Sequence, residues 1–363
     1  MQQKLSLATL MLLAAFGANA TSVNIYGSIS TGLVATHTRA TAENGNKSTT
    51  GFSMQSAWAG DSIWGITAKE DLGNGWAAGV ALENEYESHT GRFTDDNTIF
   101  NSMAYLWVGT DQVKLSLGNL GGALSSGGGD FDLIGGFDPL EAAYGLGGMG
   151  LISTKDLAPD TAVSLELTPV EGLKISAQAS LGDNTIAKWS QREHYYGLGA
   201  LYENGSLAAA ASAEMVRRSS LDTACGRDAH FLTAALSWDA GFIKPMAIYQ
   251  YADKMSLGSF ADNAMESAFR SGDKPGKINS LLIGATAPVA GGTLGISAQY
   301  AVAKFTETAK KGKAYTLGVA YTYELSKRTS LYAAGVMVKG KKEFAEFDAF
   351  NQYQAGIGIN HTF

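Results

Sequence analysis

Hydrophobic and polar positions alternate along most of this chain, in segments of about ten residues. Over most of segments 173–182, 293–305 and 313–324, Leu, Ile, Val, Ala or Tyr occupies every second position, with small or polar residues between. Because successive side chains of a β-strand point to opposite faces, each segment has one apolar and one polar face. Strands of this length exceed the ~5–6 residues usual in soluble proteins and suffice to cross a bilayer when tilted. The pattern therefore predicts an all-β protein whose strands span a membrane.

The connections between these segments are of two kinds. Short turns rich in Gly, Asn or Asp, such as 71–75 and 203–205, alternate with longer polar loops such as 35–59, 118–160 and 253–276. Short turns on one side and long loops on the other are typical of transmembrane β-barrels, which close so that no strand edge faces lipid. We therefore predict a transmembrane 16-stranded antiparallel β-barrel, with strands at 22–34, 60–70, 75–87, 101–109, 112–118, 161–168, 173–182, 194–203, 207–216, 229–238, 242–252, 277–287, 293–305, 313–324, 329–339 and 351–363.

The first 20 residues have the pattern of a cleaved secretory signal peptide. Lys4 precedes an apolar stretch at 5–16, and Ala18 and Ala20 form a small-x-small cleavage signature. This stretch is too short for a permanent membrane helix. The mature chain would then be residues 21–363, and the expected location of the exported barrel is the cell outer membrane.

Composition excludes several other classes of protein. The 363 residues include one cysteine and have a formal net charge of −7, so neither a disulfide scaffold nor a nucleic-acid partner is expected. The five histidines lack metal-ligand spacing, and Cys225 stands alone in a polar loop, so we expect no metal and no cofactor. The segment 145–150 matches the dinucleotide motif G-x-G-x-x-G, but neither a preceding strand nor a following helix is indicated.

Four segments carry a family resemblance: 23–33, 62–85 with its turn at 70–75, 314–334 with its turn at 325–329, and 356–363. They resemble the general porins of Gram-negative outer membranes, the beta-proteobacterial type in particular. The resemblance implies a homotrimer of water-filled barrels, surrounded by outer-membrane lipid and lipopolysaccharide, that passes small hydrophilic solutes and ions by passive diffusion. It also implies a third external loop that folds inward and narrows the pore.

The loop 118–160 fits that constricting role, since a Gly-rich loop of this length is uncommon unless it is functional. Acidic side chains within a narrowing attract cations and repel anions. Four acids in the loop are the candidates: Asp130, Asp132, Asp138 and Glu141.

On the opposite wall the sequence departs from the family's basic pattern. Ile63 and Thr67 stand where the family commonly has Arg and Lys. Alternation places further charged residues on polar, inward faces, namely Lys69, Lys114, Lys174, Glu83 and Glu85. The hypothesis is a pore with a weak anion preference or a net cation preference.

Three alternatives remain open at this point. They are a substrate-specific channel on the same fold, a non-conducting surface adhesin or structural barrel, and a soluble periplasmic β-protein. An enzyme is not expected, because no G-x-S-x-G elbow occurs and a barrel hydrolase would need Ser, His and an acid to converge. Several aromatic residues, Tyr26, Tyr105, Trp107 and Trp238 among them, are predicted to form interfacial girdles on the outer face.

Overall fold

The computed structural model describes residues 22–95, 97–155, 157–159, 161–220, 228–254, 276–306 and 309–363. The predicted signal peptide 1–20, Cys225 and most of the loop 253–276 lie outside these residues. Regular structure consists of β-strands and a few 3₁₀ turns, and no helix among the described residues is long and apolar enough to cross a membrane. The strands are β1 Ser22–Thr38, β2 Thr49–Ser56, β3 Ile63–Gly73, β4 Trp76–Glu85, β5 Met103–Gly109, β6 Val113–Asn119, β7 Ala162–Val170, β8 Leu173–Ser180, β9 His194–Asn204, β10 Leu207–Arg217, β11 Ala229–Trp238, β12 Lys244–Asp253, β13 Lys277–Val289, β14 Gly292–Lys304, β15 Lys311–Ser326, β16 Thr329–Lys342 and β17 Asn351–Thr362.

The seventeen segments form sixteen barrel strands, because β2 and β3 lie end to end in one strand position. β2 pairs with the Thr31–Thr38 half of β1, and β3 pairs with the Ser22–Ser28 half. Between them, residues 57–62 leave the ladder, with Ala57 in the left-handed region at φ 55°. The sequence missed this arrangement: it predicted 35–59 as a loop, whereas β2 is a short paired strand with Phe52 and Met54 on its outer face.

Antiparallel pairing runs around the whole sheet and closes on itself. Each strand from β3 to β17 pairs with its neighbour in sequence, and β17 pairs with β1 from Ser28↔Thr362 to Thr38↔Gln352. Closure pairs the barrel strands on both sides, apart from the segment β2, whose ladder runs with β1 alone, so most backbone N–H and C=O groups of the strands are hydrogen-bonded within the sheet. The predicted 16-stranded barrel is therefore confirmed.

The two faces of the barrel differ as the alternation predicts. Large apolar side chains are exposed on the outer face, among them Ile25, Leu232, Ile283, Leu317 and Ile357. The inner face presents polar or small residues in register. This separation explains how a mean hydropathy near zero (−0.03) goes together with a strongly apolar outer wall, because the average combines two opposite surfaces.

Three of the aromatic residues assigned to the outer girdles lie on the inner face instead. The Tyr26 hydroxyl donates a hydrogen bond of 2.8 Å to inward-facing Glu83. Tyr105 and Trp107 share the face of Lys114 and Ser116 on the paired strand β6. The aromatic character of a residue does not reveal whether it faces lipid or the lumen. The alternation of side chains along each strand does, and it places these three rings on the lumen side.

Candidate functional site

The lumen is the candidate site, and the loop 118–160 is hydrogen-bonded to its wall. Inward-facing glutamine side chains bind the loop backbone at three places: Gln178 Nε2 donates to Gly122 O (3.0 Å), Ser153 N donates to Gln250 Oε1 (2.7 Å) and Leu151 N donates to Gln299 Oε1 (3.0 Å). An amide side chain can donate and accept, so it satisfies irregular backbone without adding charge. β8 is four strands away from β12, and β12 and β14 flank β13, so the loop spans from one part of the wall to another.

A buried carboxylate fixes the first part of the loop. Glu214 on β10 accepts hydrogen bonds from Ser125 Oγ (2.5 Å), Ser212 Oγ (2.6 Å) and Tyr195 Oη (2.6 Å). Tyr195 Oη in turn accepts a bond from Leu124 N (3.1 Å). Hydrogen bonds to an ionised group are about twice as strong as neutral ones, so this cluster is a strong attachment point.

Apolar contacts hold the middle and the end of the loop. Ile134, Phe137 and Met149 pack with Ile248 and Leu282 of the wall, all of them buried.

The interruption between β2 and β3 provides a further contact for the loop. Trp58, in this interruption, packs edge-on against Tyr144 of the loop, with 5.2 Å between the ring centroids. The Trp58 carbonyl also accepts a hydrogen bond of 2.7 Å from Tyr144 N. The break in the second strand therefore supports the loop, a role that no motif in the sequence indicated.

The four loop acids occupy two kinds of position. Asp132 accepts backbone N–H bonds from Gly127 (3.0 Å) and Gly135 (2.5 Å), and Asp138 accepts them from Leu140 (3.0 Å) and Ala142 (2.9 Å). These two carboxylates therefore stabilise turns within the loop. Asp130 and Glu141 are exposed, and Asp130 accepts a hydrogen bond from the Tyr105 hydroxyl.

Burial changes the titration of the two turn-forming acids. It raises the pKa of Asp132 and that of Asp138 to about 6 each, although the donated backbone N–H groups act in the opposite direction. Both carboxylates are therefore charged at neutral pH and take up protons as the pH falls through about 6.

We expect the ion selectivity of the protein to follow this titration. As the pH falls from about 7.5 to about 5, the loop loses up to two negative charges, so the preference for cations over anions should decrease. The measurement is the reversal potential in a KCl gradient at the two pH values. In the double variant Asp132→Asn/Asp138→Asn most of the shift should disappear; an undiminished shift would contradict the assignment.

A charged triad lies on the adjacent strands β6, β7 and β8, the last of which also carries Gln178. Lys114 Nζ is 2.5 Å from Glu166 Oε2, and Lys174 Nζ is 3.7 Å from Glu166 Oε1. Lys114 Nζ also lies 5.1 Å from the ring centroid of Phe131, the neighbour of Asp130 in the loop. Two lysines and one glutamate leave this group with a formal charge of +1.

The remaining candidate residues are separate from that triad. Glu83 is nearly buried and accepts bonds from Tyr26 Oη and from Ser102 Oγ (2.6 Å), whereas Lys69 is exposed towards the turn at 71–75. Glu85 is the last residue of β4, beside the loop that follows it.

Two residues of the site, Glu166 and Glu214, were missed by the sequence reasoning. The alternation of side chains along the strands could have found them, because each glutamate lies two residues after an inward-facing, buried serine of its strand.

Among the described residues no three His, Cys, Asp or Glu side chains cluster as metal ligands.

A closed antiparallel barrel with an apolar outer wall and a polar, charged lumen is a membrane channel of the outer-membrane type. The family model for Gram-negative porins matches residues 6–343, and the chain belongs to this family. It is 27% identical to an outer membrane porin protein of Bordetella pertussis, over 99% of this chain and 100% of that one. It is 26% identical to outer membrane porin protein 32 of Delftia acidovorans, with the same coverage.

Solved structures agree with this assignment at the level of the fold. An anion-selective porin from Comamonas acidovorans superposes with a TM-score of 0.69 at 21% identity, over 94% of this chain and 99% of that one. The protein is thus an outer-membrane porin, a water-filled channel for passive diffusion of small hydrophilic solutes. Its family and fold are those of channels rather than enzymes.

Proposed function

We propose that the pore is narrowest between the loop 118–160 and the wall formed by β3 to β8, and that solutes are selected there by size and charge without any chemical step. The observation that carries this proposal is the position of Lys114, whose Nζ lies 2.5 Å from Glu166 Oε2 on the wall and 5.1 Å from the ring centroid of Phe131, the loop residue next to Asp130. The exposed loop acid and the wall triad therefore face one passage. Acids and bases on opposite sides of a passage set up a transverse field that dissolved ions must cross.

The charge inventory of this passage supports a weak anion preference or a net cation preference. Asp130, Glu141, Glu83 and Glu85 are the acids proposed to act there with Asp132 and Asp138, and Lys69, Lys114 and Lys174 are the bases. Glu166 neutralises about one of those bases, because it contacts two lysines at once. The relative from Comamonas acidovorans is described as anion-selective, so a net cation preference in this protein would distinguish the two by the sign of their selectivity.

A single-channel recording on the purified full-length protein tests the function directly. Insertion into planar bilayers should give steps of constant size, with current proportional to salt concentration and without saturation by small sugars. Saturable block by one solute would favour the substrate-specific channel. Sealed, non-conducting barrels would favour the adhesin or structural alternative and overturn the proposal.

The homotrimer is proposed from the loop between β4 and β5, residues 86–102. Its apolar residue Ile99 is 57% exposed, yet its backbone is fixed: Asn84 Nδ2 donates to Ile99 O at 2.5 Å, and the ring of Phe100 lies 6.2 Å from that of Trp64 on the outer face. A well-ordered loop that presents apolar side chains outside its own barrel is suited to latch onto a neighbouring copy.

Replacing Ile99 with arginine should therefore weaken the trimer. We expect the variant to dissociate in mild detergent to monomers that keep their β-sheet circular dichroism, because the change removes apolar contact and adds a charge at an interface. Size-exclusion chromatography with light scattering measures the mass. His89→Arg, an exposed change in the same loop, is the control, and an unchanged trimer in Ile99→Arg would count against the latch.

A further inference from the structure

Trp107 lies on the inner wall of the barrel, close to the end that carries the short turns. It is two residues before the end of β5, and the turn 110–112 that follows is short, as turns on the periplasmic side of such barrels are. Its ring covers Gly79, its partner on β4: a Cβ added to this glycine would be 2.7 Å from the indole Nε1 and Cε2 atoms. The missing side chain at Gly79 therefore lets the indole lie against the wall.

The indole is held in place on one side and remains accessible on another. It packs against the buried cluster that contains Tyr105 and Phe131, whose rings lie edge-on with 5.2 Å between their centroids. Trp107 itself is only half-buried. A ring that is fixed by its neighbours and still partly exposed to the lumen is a preorganised surface for a flat ligand.

Lysines lie on both sides of this ring. Lys69 of β3 pairs with Gly79, the residue that the indole covers, and Lys114 is on β6, the strand on the other side of β5. Within the part of the chain that the structure describes, Lys69 has no acidic side chain within ion-pair distance, whereas Lys114 and Lys174 share Glu166. Three lysines and one glutamate together carry a formal charge of +2.

An aromatic face between ammonium groups suits an organic anion that contains a ring. Aromatic rings attract each other in offset-stacked or edge-on arrangements. An ammonium group only donates hydrogen bonds, so the ligand has to supply the acceptors and the negative charge. A neutral sugar fits less well, because its hydroxyl groups need acceptors as well as donors around them.

We propose that Trp107, Lys69 and Lys114 form a binding site for small aromatic carboxylates at the periplasmic end of the lumen. The ring of the ligand stacks on the indole, and its carboxylate lies beside the ammonium groups. The inference rests on the proposed channel function, because a solute meets this wall only inside an open lumen. The site takes up one side of the lumen, so small ions and sugars still pass.

The ring contact is tested on the full-length protein in detergent by saturation-transfer difference NMR, with benzoate as the probe. The unmodified protein should bind benzoate saturably, and Trp107→Leu should bind it about 10-fold more weakly, because the stacking surface is lost. Trp107→Phe keeps a ring and should retain most of the affinity. Trp238→Leu, on the outer face at the same end of the barrel, is the matched control and should bind normally. Equal benzoate binding by the unmodified protein and by Trp107→Leu would overturn the proposal.

The charge contact is tested with a second pair of variants and two further probes. Lys69→Gln should weaken benzoate binding about threefold and leave the weak binding of benzyl alcohol unchanged. Lys244→Gln, beside the short turn 239–243 on the distant strand β12, should change neither. Acetate, which has the charge without the ring, should bind more weakly than benzoate. If benzyl alcohol binds as well as benzoate, the site is only an apolar patch; if acetate does, it is a general anion site, and either result overturns the assignment.

The KCl conductance of every variant is recorded in parallel and separates this site from the channel function. An unmodified protein that conducts KCl but does not bind benzoate would overturn the site and leave the channel intact. An unmodified protein that does not conduct would overturn the proposed function, and with it a site that solutes meet inside an open lumen.

Discussion

Replacing Glu214 with alanine is expected to loosen the loop 118–160 and convert a steady open channel into a noisy one. The change removes the acceptor shared by the hydroxyls of Ser125, Ser212 and Tyr195. Ser125 Oγ keeps Thr154 Oγ1 at 2.8 Å, whereas the buried hydroxyls of Ser212 and Tyr195 lose the carboxylate that accepts their protons. An unsatisfied buried polar group costs ~1–3 kcal/mol, so two of them amount to a loss of several kcal/mol in the attachment of the loop. That exceeds the contribution of any one of the glutamine contacts, and the loop should leave the wall intermittently.

Single-channel traces measure this directly, as frequent transitions between conductance levels in place of long, quiet openings. Glu214→Gln should be intermediate, because its amide oxygen still accepts one hydrogen bond while its NH₂ group faces other donors. Glu203→Ala removes an exposed glutamate from the neighbouring strand β9 and should leave the traces unchanged. Quiet traces from Glu214→Ala, with the sheet intact by circular dichroism, would show that the cluster does not anchor the loop.

The barrel was predictable because its physical requirement is repeated in every strand. Lipid on one side and water on the other impose a period of two over about ten residues, and all sixteen predicted strands agree with the structure within about four residues. The segment that the prediction missed is β2, which continues the strand position of β3. There the chain breaks the ladder at 57–62 so that Trp58 can reach the loop, and a local departure of this kind leaves no periodic signal.

The lumen was only partly predictable. Parity predicts the face of Lys114 and Lys174, but their common partner Glu166 depends on the register of three strands. The loop acids show a deeper limit. Asp130 and Asp132 are two residues apart, yet Asp130 is exposed and accepts a side-chain hydroxyl, whereas Asp132 binds backbone N–H groups, because turn geometry in an irregular segment is set by its contacts with the wall.

Glu166 should control the charge preference of the pore through the two lysines that it contacts. Glu166→Gln raises the formal charge of the triad from +1 to +2, and Lys114→Gln/Lys174→Gln lowers it to −1. Relative to the unmodified protein, we expect the reversal potential in a KCl gradient to shift towards anion selectivity in the first variant and towards cation selectivity in the second. The difference should be larger at about 0.1 M than at about 1 M salt, since the screening length falls from ~10 to ~3 Å.

The direction of the two shifts tests the proposed position of the triad. Glu171→Gln makes the same charge change in the exposed turn between β7 and β8 and controls for the net charge of the chain. If the triad lines the narrow passage, Glu166→Gln shifts selectivity far more than Glu171→Gln does, because a charge acts strongly on ions only within about a screening length. Equal shifts from the two glutamates would mean that ions respond to the overall charge of the barrel, and the passage between the loop and β3 to β8 would not be where this porin selects its solutes.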